Sequence, residues 1–252
     1  MSNTQHKSNS VTLPLIKVFV SNPQSSIEKE VAWLPQPCEV VDSVDKCNLV
    51  LFTGGCDVNP DFYGEEANSF TNFSIERDAS DLTIFKMARA MLKPMVGVCR
   101  GAQFLCVQAG GKLVQHQANN GAHKIRTFTN QEFLVTSDHH QAQHPWNLDK
   151  DEWELLSWTL AVSGYHKGAY SEMVVGKAHL YPNYGFPPNL YNLPEIEDAY
   201  YYTINALAIQ CHPEWMQDSG EICPSYTAAL QYYKSLVLRL LMGFHCPEGP
   251  VG

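Results

Sequence analysis

A chain of 252 residues is long enough for one large domain or two small ones, and at that size it can bury a core without disulfide or metal staples. Its 44% hydrophobic and 17% charged residues are those of a soluble globular protein, which excludes a disordered or collagen-like chain. A formal net charge of −9 sets the surface against phosphate backbones and anionic membranes, so neither nucleic acid nor membrane is an expected partner.

The first residues, Met1 to Ser10, are polar and lack the apolar stretch of a signal peptide; residues 1–13 read as a disordered tail ahead of a single domain over 14–246. Ile16 to Val20 is a β-branched and aromatic run, hence a strand. Ser25 to Leu34 suits a short helix stopped by Pro35, and Glu39 to Val41 a second strand. Asn48 to Thr53 is nearly all apolar and ends in Gly54-Gly55, as expected of a strand buried on both faces of a parallel sheet. Cys56 to Phe73, rich in Gly, Pro and Asn, reads as a structured loop. Asp78 to Leu92 has helical apolar spacing that ends at Lys93-Pro94. Met95 to Cys99 is another buried strand, and Ala102 to Ala109 a helix closed by Gly110-Gly111. Strand alternating with helix predicts a layered α/β fold with a mostly parallel sheet.

The second half is less regular. Glu132 to Thr136 reads as a strand followed by a polar break, Ser137 to Gln141. The acidic group Asp149, Asp151, Glu152 and Glu154 suggests a solvated helix start. Ser163 to Pro194 is dense in Tyr, Gly, Pro and Asn and is a candidate lid. Glu195 to Tyr202 and Ala206 to Cys211 are strand-like, and Ser225 to Phe244 is an amphipathic helix. No window is long and apolar enough for a membrane span. The eight cysteines show no CxxC spacing, which favours a reduced, cytoplasmic protein.

Chemistry concentrates at strand ends. Gly97-Val98-Cys99-Arg100-Gly101 has the form G-x-nucleophile-x-G between a buried strand and a helix. A nucleophile on such a turn has a strained backbone, and the flanking glycines relieve the crowding. The helix N-terminus beyond it favours a thiolate over a thiol. The same five residues also suit a buried structural cysteine between tight-turn glycines. Gln210-Cys211-His212-Pro213-Glu214 ends another apolar strand; in an extended chain His212 and Glu214 project to one side, as a base and the carboxylate that orients it. At the end of a third strand, Thr53-Gly54-Gly55 lets a backbone N–H approach a substrate, and with the N–H of Arg100 would form an oxyanion hole. His116, His123, His139, His140 and His144 lack tight metal-ligand spacing apart from the adjacent pair, and a thiol triad needs no metal, so neither metal nor cofactor is expected.

Taken together, these stretches resemble the class I glutamine amidotransferase superfamily, in particular its γ-glutamyl-γ-aminobutyrate hydrolase branch. The resemblance rests on Thr53 to Pro60 with Tyr63-Gly64, Arg77-Asp78, Val98 to Gln103, Ser137 with His139-His140-Gln141, and Gln210 to Glu214, in that order along the chain. It implies a flavodoxin-like three-layer sandwich and a Cys99-His212-Glu214 triad that cleaves a γ-glutamyl amide through a thioester. It also implies oxyanion donors at Gly54 or Gly55 and at Arg100, a glutamyl-holding Gln103, and a pocket wall from the Ser137 to Gln141 stretch, His140 included. The substrate would be a small γ-glutamyl compound. A glutaminase subunit feeding ammonia to a synthetase partner is the alternative function, and a homodimer or a synthetase is the expected partner. The chain departs from the family in Cys56, in Asp81 where glutamate is usual, and in the length of residues 163–194.

Overall fold

The strands Leu49–Phe52, Met95–Val98 and Ala206–Ile209 are buried at every residue. They have no face to offer water, so both faces must be covered. Alternate side chains accordingly feed two cores. Val50, Phe52, Met95 and Ala208 enter one; Leu51, Val96, Val98 and Ile209 enter the other.

The computed structural model describes residues 15–115, 119–159, 195–218 and 221–243. In chain order these form β1 (Ile16–Ser21), α1 (Ile27–Val31), β2 (Cys38–Val40), β3 (Leu49–Phe52), α2 (Ile75–Ala90), β4 (Met95–Val98) and α3 (Arg100–Gln108). There follow β5 (Lys112–Val114), β6 (Asn119–Thr127), β7 (Glu132–His139), β8 (Ala142–His144), β9 (Trp153–Thr159), β10 (Glu195–Tyr201) and β11 (Ala206–Ile209). A small ribbon of β12 (Gln217–Asp218) and β13 (Glu221–Ile222) leads to α4 (Thr227–Leu241). The expected tail, the candidate lid and His116 lie outside the described residues.

The main sheet runs β2-β1-β3-β4-β11-β10-β9-β6-β7. From β2 to β11 every pairing is parallel; from β11 to β7 every pairing is antiparallel. Phe85 and Ala88 of α2 and Phe104 and Leu105 of α3 pack on one face, while Leu230, Tyr233 and Val237 of α4 pack on the other with Trp33 and Leu34. The result is the layered α/β arrangement that the alternation of strand and helix predicts, and the flavodoxin-like three-layer sandwich that the family resemblance implies.

Several elements differ from expectation for identifiable reasons. Helix α2 begins at Ile75, ahead of Asp78, because the Ser74 hydroxyl caps it by accepting from the Arg77 N–H at 3.2 Å. The polar break after Thr136 is no break: β7 continues to His139, with Ser137 and His139 buried. The acidic stretch is not a helix start. Trp153 opens β9, and Glu154 pairs with Arg239 at 2.8 Å while accepting the Tyr202 hydroxyl. β5, β6 and β8 carry no clear apolar alternation, and sheet pairing rather than intrinsic propensity extends them.

Cys99 occupies the joint between β4 and α3, with φ 50° and ψ −108°. That left-handed φ is a strained one for a residue with a Cβ. The joint is tight on both sides. A Cβ on Gly97 would stand 2.4 Å from the Gly101 carbonyl, and one on Gly101 would stand 2.1 Å from the Phe52 carbonyl oxygen. Both opposing groups are backbone, so no rotamer change relieves the clash. Gly101→Ala is therefore expected to destabilise the protein by more than about 4 kcal/mol in urea unfolding. A loss below about 1 kcal/mol would contradict the packing described.

Candidate active site

The site is built at the carboxyl ends of β3, β4 and β11, where open α/β sheets bind ligands. Gly54 follows β3, Cys99 follows β4 and His212 follows β11. Their proximity can be measured at Gly54: a Cβ there would lie 3.1 Å from His212 Cε1 and 3.8 Å from Cys99 Cβ. The sulfur of Cys99 lies 4.0 Å from the backbone oxygen of Asp138, at the end of β7. Cys99 is 4% exposed and His212 5%.

His212 and Glu214 come together as expected, though by a different local geometry. Residues Pro213–Trp215 form a 3-10 turn rather than an extended strand. Within it Glu214 Oε1 reaches His212 Nδ1 at 2.6 Å. Burial opposes a charged imidazole, but Cys99 and the Glu214 carboxylate beside the ring outweigh it and hold the His212 pKa up at about 10. Cys99, His212 and Glu214 thus come together at one strand-end cluster, with the carboxylate bonded to the imidazole.

Arg100 is the first residue of α3, and its backbone N–H belongs to the first turn, where helix donors lack intrahelical partners. Its side chain is 1% exposed and pairs with Asp78 and Asp81 of α2. Asp81 also accepts from Arg77 Nε at 2.8 Å, from the Ser21 hydroxyl and from Asn22 Nδ2 at 2.8 Å. Arg77 in turn donates to the Thr53 carbonyl at 3.2 Å. Two guanidinium and two carboxylate groups thereby join the ends of β1 and β3 to the Cys99 joint. The change from glutamate to Asp81 noted in the sequence is accommodated inside this cluster. Gly55 has φ 135°, and a Cβ there would lie 3.2 Å from Arg77 Nη1.

Other expected pocket residues have partners of their own. Gln103 Nε2 donates to the Gln141 carbonyl at 2.9 Å, which ties α3 to the stretch after β7. His140 Nε2 lies 3.1 Å from Asp57 Oδ1, so the loop after β3 and the end of β7 meet across the site. Burial pushes the Asp57 carboxyl up, against the Asn72 N–H and the His140 ring. Among the described residues no group of three or more His, Cys, Asp or Glu side chains is placed to hold a metal ion. No helix among them is long and apolar enough to cross a membrane.

Sequence reasoning missed two features. The first is an acidic row on β10: Glu195 lies 3.2 Å from His139, Glu197 lies 2.7 Å from His123, and Asp198 accepts the Ser157 hydroxyl. These carboxylates are buried. Their positions in the sequence carry no mark of it, because acidic residues are ordinarily exposed. The second is Trp215, whose ring lies on that of His212. Its only sequence signal is its place three residues after the histidine.

The arrangement defines a class I glutamine amidotransferase-like protein. The peptidase C26 family model matches residues 31–179, more than half of the chain, and the chain belongs to that family. The glutamine amidotransferase-like protein YvdE of Lactococcus lactis is 45% identical over 73 residues, 29% of this chain and 30% of YvdE. The chain thus matches under a third of that relative's length. Protein NtpR of Enterococcus hirae is 26% identical over 189 residues, 71% of each chain. A glutamine amidotransferase of Thermotoga maritima shares the fold with a TM-score of 0.50 at 11% identity, covering 90% of this chain and 97% of its own.

Two expectations follow from the buried charges. Asp81→Asn leaves Arg77 and Arg100 short of an anion and should cost about 3–5 kcal/mol in chemical denaturation. His139 supplies a pH signature. Burial pushes its pKa from 6.5 down to about 3, so the folded ring is neutral. A depressed folded value means its contribution is whole above the unfolded pKa of 6.5 and is lost as pH falls towards 3. His139→Gln should therefore flatten the acid limb of the stability–pH curve relative to the native chain; parallel curves would contradict a neutral buried ring.

Proposed function

We propose that the protein is a cysteine hydrolase of γ-glutamyl amides. The observation that carries this reading is the convergence of Gly54, Cys99 and His212 with Glu214 bonded to the far side of the imidazole. Membership of the peptidase C26 family supports the same reading.

The Cys99 thiolate attacks the γ-carbonyl carbon, and the carbonyl electron pair moves to oxygen. Backbone N–H groups at Gly54 or Gly55 and at Arg100 face that developing charge. His212, as imidazolium, gives its proton to the leaving nitrogen; the C–N bond breaks, the amine departs and a γ-glutamyl thioester remains. Water then attacks the thioester while His212 takes its proton, and the C–S bond breaks to release glutamate and restore the thiolate–imidazolium pair. Glu214 keeps the ring oriented and supports its positive charge throughout. The Asp57–His140 contact and the Gln103–Gln141 bond would hold the residues that line the substrate pocket.

The test is glutamate release from glutamine and from a panel of γ-glutamyl amines. Cys99→Ser is expected to abolish turnover, and Glu214→Gln to lower kcat on the order of 10²- to 10⁴-fold with KM little changed. Glutamate release that survives Cys99→Ser would overturn the proposal.

A further inference from the structure

The His212 ring has a neighbour that the triad does not use. Trp215 lies with its ring centroid 3.7 Å from that of His212 and an angle of 4° between the planes. The contact follows from local structure. The Trp215 N–H donates to the His212 carbonyl at 3.1 Å, closing a 3-10 turn. In such a turn side chains three apart eclipse one another. Trp215 is nonetheless 42% exposed, so the indole has not simply been drawn into the core.

We propose that Trp215 is a positioning residue: its indole, laid flat on the imidazole, fixes the plane of the His212 ring and stabilises its charged form. This rests on the function proposed above. The ring is constrained at three points. Glu214 holds Nδ1, the bare Cα of Gly54 admits Cε1 where a side chain would press on it, and Trp215 covers a face. Rotation of the imidazole about its Cβ bond would break the Glu214 bond and the stack together. The electrostatics point the same way, because an aromatic face attracts a cation and does nothing comparable for a neutral ring. The titratable groups acting on His212 are Cys99 at the start of α3, Glu214 in its own turn, and His139 on β7, which burial keeps neutral. Trp215 adds an attraction that involves no proton of its own.

Because the stack favours imidazolium, it also favours the thiolate that pairs with it. The test uses the full chain and reads Cys99 directly, without a substrate. Alkylation by iodoacetamide is followed against pH in the native chain, Trp215→Phe and Trp215→Leu, with Cys99→Ser subtracting the remaining cysteines. Trp215→Leu should slow Cys99 alkylation about five- to thirtyfold on the acidic side and converge with the native rate in alkali, while Trp215→Phe stays within about threefold. Independently, the native-minus-Trp215→Phe fluorescence difference should titrate with the ultraviolet absorbance of the thiolate and lose that step in Cys99→Ser. An unchanged pH profile in Trp215→Leu, or an equal loss at every pH, would overturn the role given to Trp215 and leave the proposed function standing. A fluorescence difference with no thiolate-linked step would do the same, even if Trp215→Leu failed to fold. A native Cys99 no more reactive than the background would overturn the proposed function as well.

Discussion

A guanidinium with almost no contact with water stands directly after the thiol, and the rest of the site is arranged around its neutralisation. Arg100 can be buried only because Asp78 and Asp81 come to meet it from α2. Asp81 is shared with Arg77, and Arg77 reaches Thr53 at the end of β3. One charge requirement thus fixes the helix α2, the end of β3 and the Cys99 joint relative to one another. Hydrophobic packing alone is non-directional and would leave such strand ends loosely defined. Ion pairs with bonded partners supply the direction.

The opposite logic governs the antiparallel half. There the polar groups are kept inside by removing charge as much as by pairing it. Burial leaves His139 neutral beside Glu195, and burial drives the Asp198 carboxyl well above its ordinary value next to the Ser157 hydroxyl. His123 goes the other way from His139: Glu197 outweighs its desolvation and pushes it up. Of the rings near the thiol, burial keeps His139 neutral, whereas His212 is pushed up to about 10 by Cys99 and Glu214 against its own burial.

Much of this could be read from the chain alone, and the reasons are physical. The parallel half is legible because β3, β4 and β11 are continuous apolar runs ending in Gly or a polar residue. The Cys99 joint is legible because backbone contacts at Gly97 and Gly101 exclude any side chain, which leaves glycine as a visible signature. The pairing of His212 with Glu214 was expected from an extended backbone and arises instead from a 3-10 turn, since a two-residue spacing serves both. What was not legible depends on partners distant in sequence. β6 takes its strand form from β7 and β9, and the β10 acids take their burial from His123, His139 and Ser157. The stack of Trp215 on His212 has no pattern at all outside the turn that creates it.

The position of β11 has a consequence for how the protein comes into being. It is the last strand of the main sheet to leave the ribosome, yet it lies between β4 and β10, at the seam of the two halves. A nascent chain that has emitted Cys99 must wait for more than a hundred further residues before His212 appears beside it. Until then the seam is open, and Cys99 has neither the imidazole that the proposed chemistry pairs with it nor its neighbouring strand. On the proposed chemistry, a chain cut short before residue 212 would carry the nucleophile without its base, so the strand that closes the seam is also the one that would arm the site.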